Sequence, residues 1–336
     1  MQETAPQNTS AAEKGLTGLF NGIVGLLDVF FNGLQRLLGS TNMAYVFVLP
    51  NLLIFGIFIL LPMMLNFGYA FTGGIDFRLA DRPYVGTANF EQLFDCESFS
   101  DPNSCREDLF WRAVFNTSGY VVFQVSFMIG FSLLTAIILN KNLRGRAFFR
   151  SVFFYPVLLS PIVVALIWKW ILQEFGLFNG VLENFGFERV MFLTNSTWAR
   201  FWVVVISVWA YMGFYTLILL AGLQAIPNSL YEAAQIDGAT RFQMFRNITL
   251  PLLRPTMLVV VVLALIRAVQ VFDIIFAFTR GGPGTATLTL VQYIYEIGFA
   301  SPSRRFGIAS TASITMAVVL VIATLIQLWV NREEEA

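Results

Sequence analysis

LYEAAQIDGATRFQMFRNITLPLLRP, residues 230–255, separates two strongly apolar runs and carries Glu232, Asp237, Arg241, Arg246 and Arg254. Its local chemistry predicts a helix, a turn and a second helix. Ser229 and Glu232 have capping-box spacing for the first helix, Gly238 is placed to end it in the left-handed conformation, and Thr240 and Gln243 repeat the box for the second. Pro251 and Pro255 are expected to stop the chain before the next apolar run, because proline lacks a donor and restricts the residue before it. Ala233, Ala234 and Ala239 permit close approach, and Phe242 and Phe245 can fill pockets. The charges would be costly in hydrocarbon and are ordinary in water. A connection of roughly 30 residues, helical and bearing apolar side chains in water, calls for a protein partner.

The flanking runs belong to a chain that is 57% hydrophobic, 15% aromatic and 12% charged over 336 residues. Too little polar surface is available to dissolve a domain of that size, so the expected class is an all-α polytopic membrane protein. Six runs are long enough to cross about 30 Å of hydrocarbon: 44–71, 113–139, 151–172, 199–222, 256–279 and 306–330. Upstream, residues 1–14 are polar, expected to be disordered, and unlike a signal peptide. Residues 15–42 place apolar side chains at helical spacing between Asn21, Asp28, Asn32 and Gln35, the pattern of an amphipathic helix lying in the membrane interface. The transmembrane domain is expected over 43–331, with a short tail at 332–336.

Orientation follows from the short loops. Residues 141–150, KNLRGRAFFR, hold Lys141, Arg144, Arg146 and Arg150 with no acid, whereas 72–112 spreads its arginines over a longer loop with eight carboxylates. Loop 141–150, loop 226–255 and both termini are therefore expected in the cytoplasm, and loop 72–112 outside. That side suits a bond between Cys96 and Cys105, which flank a Pro-Asn turn and are the chain's 2 cysteines.

The absence of histidine excludes histidine-based triads and most zinc sites, and no phosphate-binding GxxxxGK[ST] sequence occurs. No metal site, bound cofactor or catalytic residue is expected, and nothing tracks nucleic acid. A transported polar solute would need amide, hydroxyl and aromatic groups in a wet cavity between spans. Asn116, Tyr120 and Gln124 recur every four residues on the second span, and Ser207, Tyr211 and Tyr215 do so on the fourth. The fifth carries Arg267, Gln270 and Asp273, a set that also suits an interior charge network. Such stripes also arise from helix packing. Pro50, Pro62, Pro156 and Pro161 are expected to kink the first and third spans, and Lys169 to snorkel between Trp168 and Trp170.

The opening stretch resembles the EAA loop of the membrane subunits of type I ABC importers. The family pattern is met by Glu232-Ala233-Ala234, Asp237-Gly238-Ala239, the apolar Phe245, and Ile248-Thr249-Leu250-Pro251. The resemblance extends over nearly all of 44–331, through YVGTANFEQLF (84–94), FWRAVFNT (110–117) and FDIIFAFTRGGPGTATLTLVQYIYEIGF (272–299). The last is similar to the carbohydrate branch, where TGGGP is usual and this chain has Thr279-Arg280-Gly281-Gly282-Pro283.

The resemblance implies the type I importer permease fold and transport of mono- or oligosaccharides across the inner membrane. It implies an ATPase subunit dimer that binds ATP and magnesium, a second homologous permease chain, and an external or periplasmic sugar-binding protein. Loop 226–255 would dock on the ATPase, with Glu232 pairing a basic group and Gly238 permitting the bend. ATP closing the ATPase dimer would open the cavity outward, and hydrolysis would reset it. An ion-coupled secondary transporter is the alternative, disfavoured by the lack of internal duplication and of a histidine relay. A membrane-embedded enzyme would need a nucleophile and base that are missing.

Overall fold

The computed structural model describes residues 11–141 and 144–332. The expected tail at 1–14 lies mostly, and that at 332–336 almost wholly, outside these residues. The chain divides into two compact units, Met1–Asn66 and Phe67–Ala336. In the first, α1 (Ala11–Phe55) is broken at Gly39, whose φ of 77° and ψ of 162° separate two helical segments. Pro50 is carried inside the second segment, and a π turn at Gly56–Leu60 precedes α2 (Leu61–Ala70). Pro62 cannot donate to the preceding turn, and the wider π turn is where that missing bond is absorbed.

Six helices among the described residues are long and apolar enough to span a membrane: Asn42–Ala70, Asp108–Asn140, Pro161–Asn184, Ser196–Gln224, Arg241–Val269 and Phe306–Trp329. In the second unit the chain runs through α3 (Ala88–Phe94), α4 (Asp108–Asn140), α5 (Arg146–Phe154), α6 (Pro161–Leu172), α7 (Leu177–Asn184) and α8 (Ser196–Gln224). It continues through α9 (Asn228–Ile236), α10 (Arg241–Met244), α11 (Leu250–Val269), α12 (Asp273–Phe278), α13 (Leu290–Tyr295) and α14 (Phe306–Arg332). The expected third run, 151–172, is not one helix. Pro156 lies in a 3-10 turn, Tyr155–Leu158, and Pro161 starts α6, because proline fits a first turn and breaks a helix interior.

Helices α4, α8 and α11 enclose a core that includes Met128, Ala136, Tyr215, Leu219, Leu253 and Val260. Close approach depends on glycine. A Cβ on Gly213 would sit 2.2 Å from the Phe153 carbonyl oxygen, and one on Gly222 would sit 2.6 Å from Thr256 Oγ1. A second core gathers Val164, Trp202, Ile206, Ile274 and Phe278 from α6, α8 and α12. A third, with Leu93, Phe110, Tyr293 and Ile308, joins α3, α4, α13 and α14.

The fifth run, expected at 256–279, also differs. Its helix begins earlier, at Arg241, and ends at Val269; Phe272, with φ −140° and ψ −61°, interrupts it before Asp273 starts α12. Val271 and Phe272 are stiff at χ1 and favour helix weakly, while an aspartate is stabilised at a helix start by the dipole. Pro251 and Pro255 do not stop the chain: both are held within α11, which follows a π turn at Phe245–Thr249.

Candidate functional site

At the end of α8 the chain turns through Pro227 into α9. The helix starts one residue before Ser229, so the Ser229–Glu232 capping box does not form, and Pro227 holds the N-cap position with no side-chain bond. Gly238 ends α9 with φ 76°. The Ala239 amide donates to the Ala234 carbonyl at 2.9 Å and the Gly238 amide to that of Gln235 at 3.1 Å, the paired bonds of a glycine-terminated helix. The second box forms as expected: Gln243 N donates to Thr240 Oγ1 at 3.3 Å, and Thr240 N to Gln243 Oε1 at 2.7 Å. A 2.9 Å bond between the Tyr231 and Thr249 hydroxyls ties α9 to the start of α11. Glu232, Ala233, Asp237, Gly238 and Pro251 are exposed, while Ala234, Phe245 and Leu250 are half-buried. Ile236 is 86% and Phe242 69% exposed, so the knob presents two large apolar side chains outward.

Within the bundle, Tyr120, Gln124, Tyr211, Tyr215, Gln270 and Asp273 line one cavity of about 430 Å³, together with Arg267, Phe272 and Ile266. The Arg267 guanidinium lies 3.7 Å from the centre of the Tyr211 ring, a cation–π contact. Arg267 is not ion-paired to Asp273, which stands exposed at the first turn of α12. Gln124 is buried, and its Oε1 meets no donor among the described residues. The break between α11 and α12 is what turns Gln270 and Asp273 into this space. Ser207 is fully buried and lines neither this cavity nor the larger one.

Asn116 faces that larger cavity, of about 810 Å³, lined mainly by apolar groups such as Phe123, Phe127, Phe131, Phe201 and Trp209. Its amide donates to the Thr285 and Leu288 carbonyls at 2.7 and 3.1 Å, so Asn116 also anchors the glycine-rich loop. Sequence reading did not find this cavity, because only the crossing of α4 and α8 brings its apolar stripes together.

At one end of the bundle Glu107 is 7% exposed and accepts from Gln92 Nε2 at 2.7 Å, from the Tyr293 hydroxyl at 3.2 Å, and from Arg305. The Glu107 hydrogen bond raises the Arg305 pKa above its ordinary value. Burial, then the Glu107 charge, pushes that of Tyr293 up. None of these four residues is marked by sequence spacing. In the loop between Gln92 and Glu107, Cys96 and Cys105 form a disulfide.

These features define the membrane subunit of a transporter. Residues 128–334 match the model of the family described as the binding-protein-dependent transport system inner membrane component, and the chain belongs to that family. It is 37% identical over 297 residues to the trehalose/maltose transport system permease protein MalF of Thermococcus litoralis, covering 87% of this chain and 95% of that one. It is 31% identical to the lactose transport system permease protein LacF of Rhizobium radiobacter, covering 87% and 94%. A chain in the crystal structure of a bacterial ABC transporter that imports the acidic polysaccharide alginate superposes with a TM-score of 0.76 at 29% identity, covering 89% of this chain and 98% of that one. The all-α fold with six candidate spans is thus that of an ABC importer permease, a multi-pass inner-membrane protein.

Proposed function

We propose that this chain is the membrane-spanning subunit of an ATP-driven sugar importer, supplying half of the translocation pathway and coupling hydrolysis in a partner ATPase to alternating access. The observation that carries the reading is the 430 Å³ cavity, where tyrosine rings lie beside Gln124, Gln270, Asp273 and Arg267. Sugars present hydroxyls that must keep hydrogen bonds and apolar ring faces that stack on aromatics, and this lining offers both. The trehalose/maltose, lactose and alginate transport named for its relatives supports the same substrate class.

Glu232, Ala233, Ala234, Asp237, Gly238, Phe245, Leu250 and Pro251 dock the loop on the ATPase dimer, which holds the ATP and magnesium. The exposed Ile236 and Phe242 flanking the Gly238 turn support that role. A second, homologous permease completes the pathway. A periplasmic binding protein delivers the sugar, a reading supported by the related alginate transporter solved in complex with its alginate pentasaccharide-bound periplasmic protein. Both termini and loop 226–255 face the cytoplasm, with loop 72–112 outside. Closure of the ATPase dimer pushes the docked knob, tilts the attached α8 and α11 and opens the cavity outward; the chain binds the two states differently without doing chemistry itself.

Affinity purification of the chain from its native membrane in mild detergent, with mass spectrometry and an ATPase assay, tests the assignment. Recovery of an ATPase, a second six-span chain and hydrolytic activity is expected. Recovery of the chain alone, even after crosslinking, would overturn it.

A further inference from the structure

We propose that Arg146 and Arg150, where α5 meets the end of α8, bind the phosphate headgroup of an anionic membrane lipid. The two residues are one turn apart on α5, both half-buried, and both reach Gln224, the last residue of α8. With its amide oxygen turned toward α5, Gln224 accepts from Arg146 Nη2 at 2.6 Å and from Arg150 Nη2 at 2.9 Å. Two cations that share one oxygen lie within about 6 Å of each other, where they repel. Among the described residues neither guanidinium meets a carboxylate, and the Nε atoms of both are enclosed without an acceptor. A single neutral oxygen leaves the pair uncompensated. A phosphodiester brings a full negative charge and several acceptor oxygens to the Nη donors of the pair, the Nε atoms being enclosed.

A partner protein's carboxylate could supply charge as well, but the rest of α5 favours lipid. Phe149 and Phe153 form the next column on the same helix, with Val152 beside them, and all three are exposed, while Phe148 is 67% exposed. A headgroup on the arginines would therefore have acyl chains lying along phenylalanine. Lys141 and Arg144, both exposed, add positive charge to a stretch with no acid, at the depth where the apolar run of α8 ends. Basic pockets beside spans recognise anionic headgroups through this combination of charge and apolar seat.

The test is native mass spectrometry of the full complex, purified in mild detergent and exchanged into equimolar phosphatidylglycerol and phosphatidylcholine. Retention of phosphatidylglycerol over phosphatidylcholine is expected in the wild type. R146Q/R150Q should lower that preference on the order of tenfold, R146K/R150K should keep most of it, and all three should retain the same protein subunits. Should the double glutamine variant fail to assemble, R150Q alone is expected to show an intermediate loss. Equal retention of the two lipids by the wild type would overturn the proposal. So would unchanged lipid preference in R146Q/R150Q together with loss of a protein subunit, which would assign the arginines to a partner's carboxylate. The readout does not depend on which leaflet holds the site or on which sugar is carried.

Discussion

Arg280 has φ 52°, in the left-handed region, and is followed by Gly281 at φ 81°. The carbohydrate-branch pattern places glycine where this arginine stands, and the backbone gives the reason: without a Cβ that conformation carries no steric cost, whereas an L side chain loses about 1–2 kcal/mol there. Arg280 recovers part of that through its guanidinium, 5.8 Å from the Phe276 ring centre. Arg280→Gly should therefore raise stability by about 1 kcal/mol, seen as a higher unfolding midpoint in detergent; a lower midpoint would contradict the strain and assign the larger effect to the ring contact. The cysteines give a second residue-scale test. Intact protein treated with an alkylating agent should gain no label before reduction and a label on both Cys96 and Cys105 after it; two labels without reductant would contradict the bond. Gly238 and the Thr240–Gln243 box were legible in the sequence because a cap is decided by three or four neighbouring residues. The Ser229–Glu232 box was misread because Pro227, two residues earlier, sets the start of α9.

Elements were legible where composition alone decides them. Six apolar runs became six candidate spans, yet sequence reading treated Pro251 and Pro255 as stops, whereas a π turn precedes Pro251 and α11 carries both prolines. As a result α10, the π turn and α11 form one rod from Arg241 to Val269, joining the exposed knob to the cavity wall that holds Arg267. A push on the knob would be transmitted along that rod. The Gly238 turn connects α9 to it, and open space surrounds the point where a Cβ would be added, so a substitution there acts through the backbone alone. Gly238→Val should cost about 1–2 kcal/mol locally, shift the α9–α10 angle, and lower ATPase attachment without reducing membrane insertion. Co-purification of the ATPase with the variant, compared with wild type at equal membrane abundance, measures this. Attachment at wild-type levels would count against a docking role for the turn.

At the scale of the whole molecule the groups that matter are distant in sequence. Glu107 and Arg305 stand 198 residues apart and meet only because α4, α13 and α14 pack together. Spacing arguments cannot find such a pair, and they find only part of the cavity formed when Gln124 on α4, Tyr211 on α8 and Gln270 after α11 converge. The amide and tyrosine stripes pointed to that cavity in part, because a four-residue repeat selects one helix face; Ser207, on the same stripe, turned out to be packed inside. Glu107→Ala should destabilise the complex by about 1–3 kcal/mol, since it leaves the buried Tyr293 hydroxyl without its acceptor and the half-buried Arg305 unpaired. Adding Arg305→Met should restore part of the loss, and additive losses in detergent unfolding would contradict the pairing.

The most direct measurement is uptake of labelled oligosaccharide into proteoliposomes holding the purified complex, with ATP inside and the periplasmic binding protein outside. Uptake that requires internal ATP, stops with vanadate and survives an ionophore is the expected result. Uptake that persists without ATP and collapses when the ion gradients are dissipated would contradict ATP coupling and make the chain an ion-driven carrier.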